Sequence, residues 1–115
     1  MNTIIFSHIA KRRNVGDKPL VSMVMTSYNQ KELVLKSLKS MFAQDYENLE
    51  IIVTDDASSD DFCEALVDEC RSFCIENPDR FTVIVSRNRH NLGVTLNYEL
   101  GFKLSHGELL ITQGG

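Results

Sequence analysis

The sequence has few of the features that define several common classes of protein. Of its 115 residues, three are Cys, none is Trp, and 12 Lys and Arg stand against 16 Asp and Glu. An odd number of cysteines does not make a disulfide framework and favours a reducing compartment. The net charge of −4 lacks the basic excess that neutralises phosphates, so no nucleic acid is expected as a partner.

Long apolar runs are also missing. No stretch approaches the roughly 20 apolar residues that cross a membrane, and the cluster Ile4, Ile5 and Phe6 is too short for the core of a signal peptide. We therefore expect no membrane span and a cytoplasmic location. Residues 1–19, which include the basic triplet of residues 11–13, show no pattern and are predicted to form an extension outside the core.

From residue 20 onward, short apolar runs alternate with amphipathic segments of helical period. The predicted strands are 20–26, 49–54, 81–85 and 109–112, and the predicted helices are one after Asn29, one over 60–76 and one over 94–104. Asn29 is expected to cap the first helix, with Glu32 three residues later. This alternation predicts an α/β fold with a three-layer, doubly wound, mostly parallel sheet, and so a Rossmann-like architecture.

In such sheets ligands bind beyond the carboxyl ends of the strands. The first predicted strand ends in Thr26-Ser27-Tyr28-Asn29, and neither G-x-G-x-x-G nor G-x-x-x-x-G-K-[ST] occurs, which argues against a dinucleotide-binding dehydrogenase or a P-loop enzyme. The hydroxyl, ring and amide at this turn could hold a planar base. Alternatively, Asn29 only caps its helix and Tyr28 packs on the surface.

Two adjacent carboxylates, Asp55 and Asp56, follow the second predicted strand. Burying both without partners would be costly, so each should bind the following turn, a ligand or water. We expect one of them to order the turn and the other to face a ligand.

Four segments together resemble the family 2 glycosyltransferases, which have the GT-A fold. They are VSMVMTSYNQ, NLEIIVTDDASSDD, NRHNLG and GELLIT, and they occur in the order and spacing of that family. The resemblance covers residues 20–115 and implies the N-terminal, nucleotide-sugar-binding part of the domain, incomplete at its C-terminus. Members transfer a sugar from a nucleotide-diphosphate donor, here expected to be a UDP- or GDP-sugar, in the synthesis of glycans, polysaccharides or cell wall.

The resemblance also implies roles for individual residues. Thr26 and Tyr28 would line the pocket of the base, with Tyr28 against the ring, and Asn29 of the same turn would also bind the nucleotide. Asp56 would hydrogen-bond the base while Asp55 supports the turn. Asn91 and Gly93 would shape the loop that leads to the third helix.

The sequence departs from the family at two places. Where many relatives carry an Arg-Asn pair near the donor diphosphate, this chain has Tyr98 and Glu99, and Arg87 and Arg89 are the substitutes that we consider. The acidic metal motif is absent after Thr112. We therefore assign no catalytic residue. We expect Mg²⁺ or Mn²⁺ only in the complete enzyme and no metal held by this chain. We also expect no transfer activity, and self-association of the chain through exposed core surface.

Particular residues decide whether other functions for this chain stay open or are excluded. A non-catalytic module that binds a nucleotide or a protein is the alternative that stays open. A phosphoacceptor receiver domain needs an acidic pair after its first strand, where this chain has Thr26. Cys63, Cys70 and Cys74 share one face of a helix with apolar residues, so we expect buried thiols rather than a zinc site. The three His are assigned no role.

Overall fold

A five-stranded sheet with helices on both faces forms the fold. The structure is a computed structural model that describes residues 2–10 and 16–114, so the basic triplet of residues 11–13 lies outside the described residues. The elements are β1 (Asn2–His8), β2 (Val21–Ser27), α1 (Lys31–Phe42), β3 (Leu49–Asp55), α2 (Asp60–Glu76), β4 (Thr82–Asn88), α3 (Val94–Leu104) and β5 (Leu109–Gly114).

The strand order is β1-β4-β3-β2-β5, and every neighbouring pair except β1–β4 is parallel. The predicted α/β fold with a mostly parallel sheet is confirmed, as are the helices over 60–76 and 94–104. Within the sheet, Ser27 of β2 is in register with Asp55 of β3, which is itself in register with Arg87 of β4. The carboxyl ends of three parallel strands therefore meet at one edge, where the polar turns of the sequence are gathered.

The N-terminal segment differs from its prediction. Residues 2–8 form β1, which pairs antiparallel with β4, and Ile5 and Phe6 pack against the core. The expectation that all of residues 1–19 lie outside the core is therefore wrong for this segment. The physical reason is that β1 satisfies the backbone donors and acceptors that β4 would otherwise leave free at the edge of the sheet. The division of the chain at residue 19 stays a prediction.

The two faces of the sheet are covered differently. Helices α1 and α2 lie over an apolar core in which Phe73 stacks on Phe42, with ring centroids 4.0 Å apart, and on Phe81 at 5.9 Å. On the other face, α3 crosses β2 and β3. It approaches closely because residue 101 is Gly: a Cβ there would lie 2.5 Å from Cγ1 of Val24.

All three cysteines lie on α2 as free, buried thiols. Burial is the largest cause that raises the pKa of Cys63 to about 12 and the pKa of Cys74 to about 11, so both remain neutral at physiological pH. They pack as small apolar groups in the core under α2.

The buried carboxylate of Glu50 forms hydrogen bonds with the turn that precedes β5. Glu50 is 3% exposed and accepts hydrogen bonds from Ser22 Oγ (2.8 Å) and from the backbone N–H of His106 (2.8 Å), and its other oxygen lies 2.7 Å from His106 Nδ1. Ser22 Oγ in turn accepts from the N–H of Gly107 at 2.9 Å. His106, to which the sequence assigned no role, thus joins the α3–β5 turn to the sheet.

Candidate functional site

A cleft of about 220 Å³ opens where β2 and β3 end and α3 begins. Its lining residues come from these elements and the turns that follow the strands: Thr26, Ser27, Tyr28, Gln30, Asp56, Val94 and Asn97. Tyr28 is 48% exposed and Asp56 is 4% exposed. The aromatic turn after β2 and the acidic turn after β3 therefore meet in one cleft, with the ring toward solvent and the carboxylate at the back.

Asp56 is held by three hydrogen bonds from the chain itself. Its Oδ1 accepts from Asn88 Nδ2 (2.9 Å) and from the N–H of Leu92 (2.8 Å), and its Oδ2 accepts from the N–H of Gly93 (2.9 Å). Gly93 is the N-cap of α3, so this carboxylate lies at the positive end of the helix dipole. Asp56 therefore fixes the loop before α3 in addition to lining the cleft.

Asp55 is fully buried, and its carboxylate is bound by groups of β2, of the β3–α2 turn and of α2. It accepts from Ser27 Oγ (2.8 Å), from the N–H and Oγ of Ser58 (2.8 and 2.6 Å), and from the thiol of Cys63 (3.4 Å). Both oxygens are occupied, so Asp55 orders the β3–α2 turn and the end of β2.

Asn29 does not cap the first helix as predicted. The N-cap of α1 is Gln30, without a side-chain hydrogen bond, and Asn29 adopts a left-handed backbone with φ of 53°. Its N–H donates to Ser58 Oγ (2.8 Å) and its Oδ1 accepts from the N–H of Ser59 (3.2 Å). Asn tolerates this conformation better than most residues, and the bonds join the two turns that border the cleft.

The loop before α3 contains Asn91 and Gly93. Gly93 has φ of 91°, which favours glycine, and its N–H reaches Asp56. Asn91 is exposed and does not line the cleft.

Neither arginine considered as a phosphate ligand lines this cleft. Arg87 Nη2 donates to the backbone oxygen of Ser58 (2.7 Å) and forms an ion pair with Asp60 (2.8 Å). Arg87 and Arg89 line a separate cleft beside β1. Tyr98 stacks on Phe102, and its hydroxyl donates to the backbone oxygen of Gln113 in β5. The part of the chain that the structure describes therefore puts no basic side chain in the lining of the Tyr28–Asp56 cleft.

Two buried amides without a predicted role belong to the cleft: Asn97 lines it, and Asn88 lies behind Asn97 and Asp56. Asn88 and Asn97 are each 1% exposed, and Asn88 Nδ2 donates to Asn97 Oδ1 (2.9 Å) as well as to Asp56. Asn97 Nδ2 donates to the backbone oxygen of Thr54 (2.8 Å). For Asn97 the sequence contains one usable signal, which is a polar residue on the buried side of the predicted helix over 94–104.

The described residues do not supply a metal site. Over residues 2–10 and 16–114, no group of three His, Cys, Asp or Glu side chains converges as metal ligands. Asp55 and Asp56 use most of their acceptor positions within the chain, so they do not fit the oxygen-ligand set of Mg²⁺ or Mn²⁺. That a metal belongs to the complete enzyme stays an expectation.

Many α/β folds have an open, mostly parallel sheet with a cleft at the carboxyl ends of its strands, and the GT-A glycosyltransferases are among them. One similar structure is a mannosyltransferase from Pyrobaculum calidifontis in complex with GDP-Man and Mn²⁺, with a TM-score of 0.71 at 23% identity over 84% of this chain and 27% of that one. A second is S. aureus TarS, with a TM-score of 0.64 at 24% identity over 83% of this chain and 27% of that one. At these identities the likeness shows the fold.

The family model for glycosyl transferase family 2 matches residues 22–113. The chain therefore belongs to glycosyltransferase family 2.

Curated relatives agree with this assignment. An uncharacterized glycosyltransferase of Haemophilus influenzae is 39% identical over 72% of this chain and 24% of its own length. The glucosyltransferase WfaP of Escherichia coli, whose name specifies UDP-Glc, is 37% identical over 50% of this chain and 24% of its own. Putative glycosyltransferase EpsE of Bacillus subtilis is 30% identical over 84% and 33%. The chain thus spans about a quarter to a third of the length of these relatives.

No helix among the described residues has the length and apolar character needed to cross a membrane.

Proposed function

We propose that this chain is the donor-binding part of a glycosyltransferase that transfers a sugar from a UDP- or GDP-sugar to an acceptor in glycan or polysaccharide synthesis. The observation that carries the proposal is the convergence of Tyr28 and Asp56 in one cleft. Relatives support both nucleotides, since WfaP is named for UDP-Glc and the Pyrobaculum enzyme is in complex with GDP-Man. The cytoplasm is the proposed location.

The chemistry of the cleft fits a nucleobase. The half-exposed ring of Tyr28 offers a face for stacking, and Val94, 67% exposed, offers an apolar wall. An ionised carboxylate has about four acceptor positions, of which Asp56 uses three within the chain. The remaining position on Oδ2 could accept from a base N–H or a ribose hydroxyl, while the three internal bonds keep the carboxylate from turning away.

Binding and transfer are separate steps in this proposal. Transfer requires neutralisation of the negative charge that develops on the leaving diphosphate, and a base that activates the acceptor hydroxyl. Among the described residues, the cleft lining contains no cation, and Asp56, its one carboxylate, is already bound to the loop before α3. We therefore propose that the 115-residue chain binds the donor nucleotide without transferring the sugar.

Calorimetric titration with UDP and with GDP in the presence of Mn²⁺, together with a turnover assay on the matching nucleotide sugars, tests both parts. We expect saturable binding of at least one nucleotide and no sugar transfer above the rate in buffer. Failure of both nucleotides to bind would contradict the donor-site proposal. Clear turnover would leave the site standing and refute binding without transfer.

We also propose that the chain self-associates through the outer edge of β5. Leu109, Leu110 and Ile111 are each about half exposed on a strand that carries no charged residue, and uncharged apolar edges pair readily with another strand. Light scattering over a concentration series should show a mass that rises above 13.0 kDa. Replacement of Leu110 with Lys should return the mass to that of a monomer, whereas a wild-type monomer at all concentrations would refute the proposal.

A further inference from the structure

A polar network lies between α3 and the sheet at the back of the cleft. It runs from the backbone oxygen of Thr54, through the amides of Asn97 and Asn88, to the carboxylate of Asp56. Asn97 and Asp56 both line the cleft. Asn88, at the end of β4, is therefore the group that joins two lining side chains from behind.

The orientation of the Asn88 amide follows from its partners. Its Nδ2 has two N–H donors, and both of its acceptors, Asp56 Oδ1 and Asn97 Oδ1, lie at 2.9 Å. The opposite orientation would place the amide oxygen against two other oxygens. Each donor thus has one partner, and one of the partners is the carboxylate of the cleft.

The amide oxygen of Asn88, unlike its nitrogen, has no hydrogen-bond partner among the described residues. This oxygen, Oδ1, is buried. A buried acceptor without a partner usually lowers stability. Both N–H donors of Asn88 are directed at groups that line the cleft, so its side chain acts on the Asp56 carboxylate as well as on the fold.

We propose that Asn88 is a positioning residue that, with Asn97, holds the Asp56 carboxylate in place for the donor nucleotide. This inference rests on the proposed nucleotide site. Asn88 itself does not touch the nucleotide. It donates to the carboxylate and fixes its oxygen Oδ1, so that Oδ2 remains directed by Gly93 and free to accept one further hydrogen bond.

The variant Asn88→Asp separates positioning from a purely structural role, because its effect depends on pH. Two carboxylates at hydrogen-bond distance cannot both be ionised without a large cost. At acid pH the pair keeps one proton, which replaces the N–H donor to Asp56, while the donor to Asn97 Oδ1 is lost at every pH. As the pH rises the proton is lost and the two charges repel, which displaces Asp56.

Among residues 2–10 and 16–114, no charged side chain is paired with the Asp56 carboxylate. Its hydrogen bonds come from the Asn88 amide and the loop N–H groups, and Tyr28 shares its cleft. Arg87 is paired with Asp60, and the Asp55 carboxylate is bound by Ser27 and Ser58. His90 and Arg89 lie exposed in the following loop and make no hydrogen bond to Asp56.

The experiment is calorimetric titration of the 115-residue chain with UDP and GDP plus Mg²⁺ from pH 5.5 to pH 8, with the wild type measured at every pH. The affinity of Asn88→Asp relative to wild type should be within about three-fold at pH 5.5 and at least about ten-fold lower at pH 8, the size expected for a hydrogen bond to a charged group. Melting temperatures measured in parallel confirm that the protein is folded at each pH.

Asn48→Asp is the matched control. Asn48 also donates a side-chain hydrogen bond, to the backbone oxygen of Lys18, at the opposite end of β3. The nucleotide affinity of Asn48→Asp relative to wild type should not change with pH. A ratio for Asn88→Asp that is constant with pH would overturn the positioning role while leaving the nucleotide site intact. If wild type binds neither nucleotide at any pH, the proposed function fails, and this inference fails with it.

A readout without ligand covers the case in which binding is weak. In carbon-detected NMR, the Asp56 carboxyl signal of Asn88→Asp should shift with pH differently from that of wild type, because the proton is shared across the pair. Identical titration of this signal in the two proteins would also overturn the proposal.

Discussion

Replacing Asp55 with Ala should lower the free energy of unfolding by about 3–5 kcal/mol. The side chain is fully buried, and its loss leaves Ser27 Oγ, Ser58 N–H and Ser58 Oγ without their acceptor. Each unsatisfied buried group costs about 1–3 kcal/mol. The hydrogen bonds that join the β3–α2 turn to the end of β2 would be lost.

Chemical denaturation followed by circular dichroism measures this effect, and Asp61→Ala is the control. Asp61 lies exposed in the first turn of α2, so its replacement should cost less than about 1 kcal/mol through the helix dipole. Equal stabilities for the two variants would mean that the Asp55 hydrogen bonds add nothing to the fold.

The parts of the fold that the sequence predicts well are those with local signals at both ends. Helix α2 begins after Ser59, whose side chain accepts from the N–H of Phe62, and ends before Asn77 and Pro78. Helix α3 begins after Gly93. These caps lie within a few residues of the segments they bound, so the predicted and observed helices agree.

The missed features depend on partners that are distant in sequence. Strand β1 pairs with β4, more than 70 residues away, and nothing in residues 2–8 by themselves specifies that pairing. Asn29 has the residue type of a helix cap, but Ser58 and Ser59 from the next turn compete for its backbone and side chain. A tertiary contact therefore replaced the local one.

In the candidate site, too, the residues with local signals were predicted and those with distant partners were missed. Thr26, Tyr28 and Asp56 were predicted from strand ends, and all three line one cleft; their contact with a nucleotide stays a prediction. Asn88 and Asn97 were missed because their partners Asp56 and Thr54 are 32 and 43 residues away. Sequence pattern locates strand tips but not the amides that connect them.

Replacing Asp56 with Ala should weaken nucleotide binding by at least about ten-fold. One cause is the loss of a hydrogen bond to a charged acceptor, which contributes about 1.5–3 kcal/mol. The other is the release of the loop before α3, since the N–H groups of Leu92 and Gly93 lose their acceptor. Tyr28→Ala should weaken binding by a similar factor, because base stacking on an aromatic ring contributes about 1–3 kcal/mol.

The two variants differ in their effect on stability. Tyr28 is half exposed and lies outside the core, so its replacement should leave the melting temperature nearly unchanged. Asp56→Ala should lower it. A loss of binding in Tyr28→Ala therefore cannot be attributed to unfolding.

Calorimetric titration of UDP and GDP into wild type, Asp56→Ala, Tyr28→Ala and the exposed-site control Asp79→Ala tests most directly whether the turns after β2 and β3 form one nucleotide site. We expect saturable binding in wild type and Asp79→Ala and a loss of affinity of at least about ten-fold in each of the other two variants. Binding that survives unchanged in both Asp56→Ala and Tyr28→Ala would contradict this expectation.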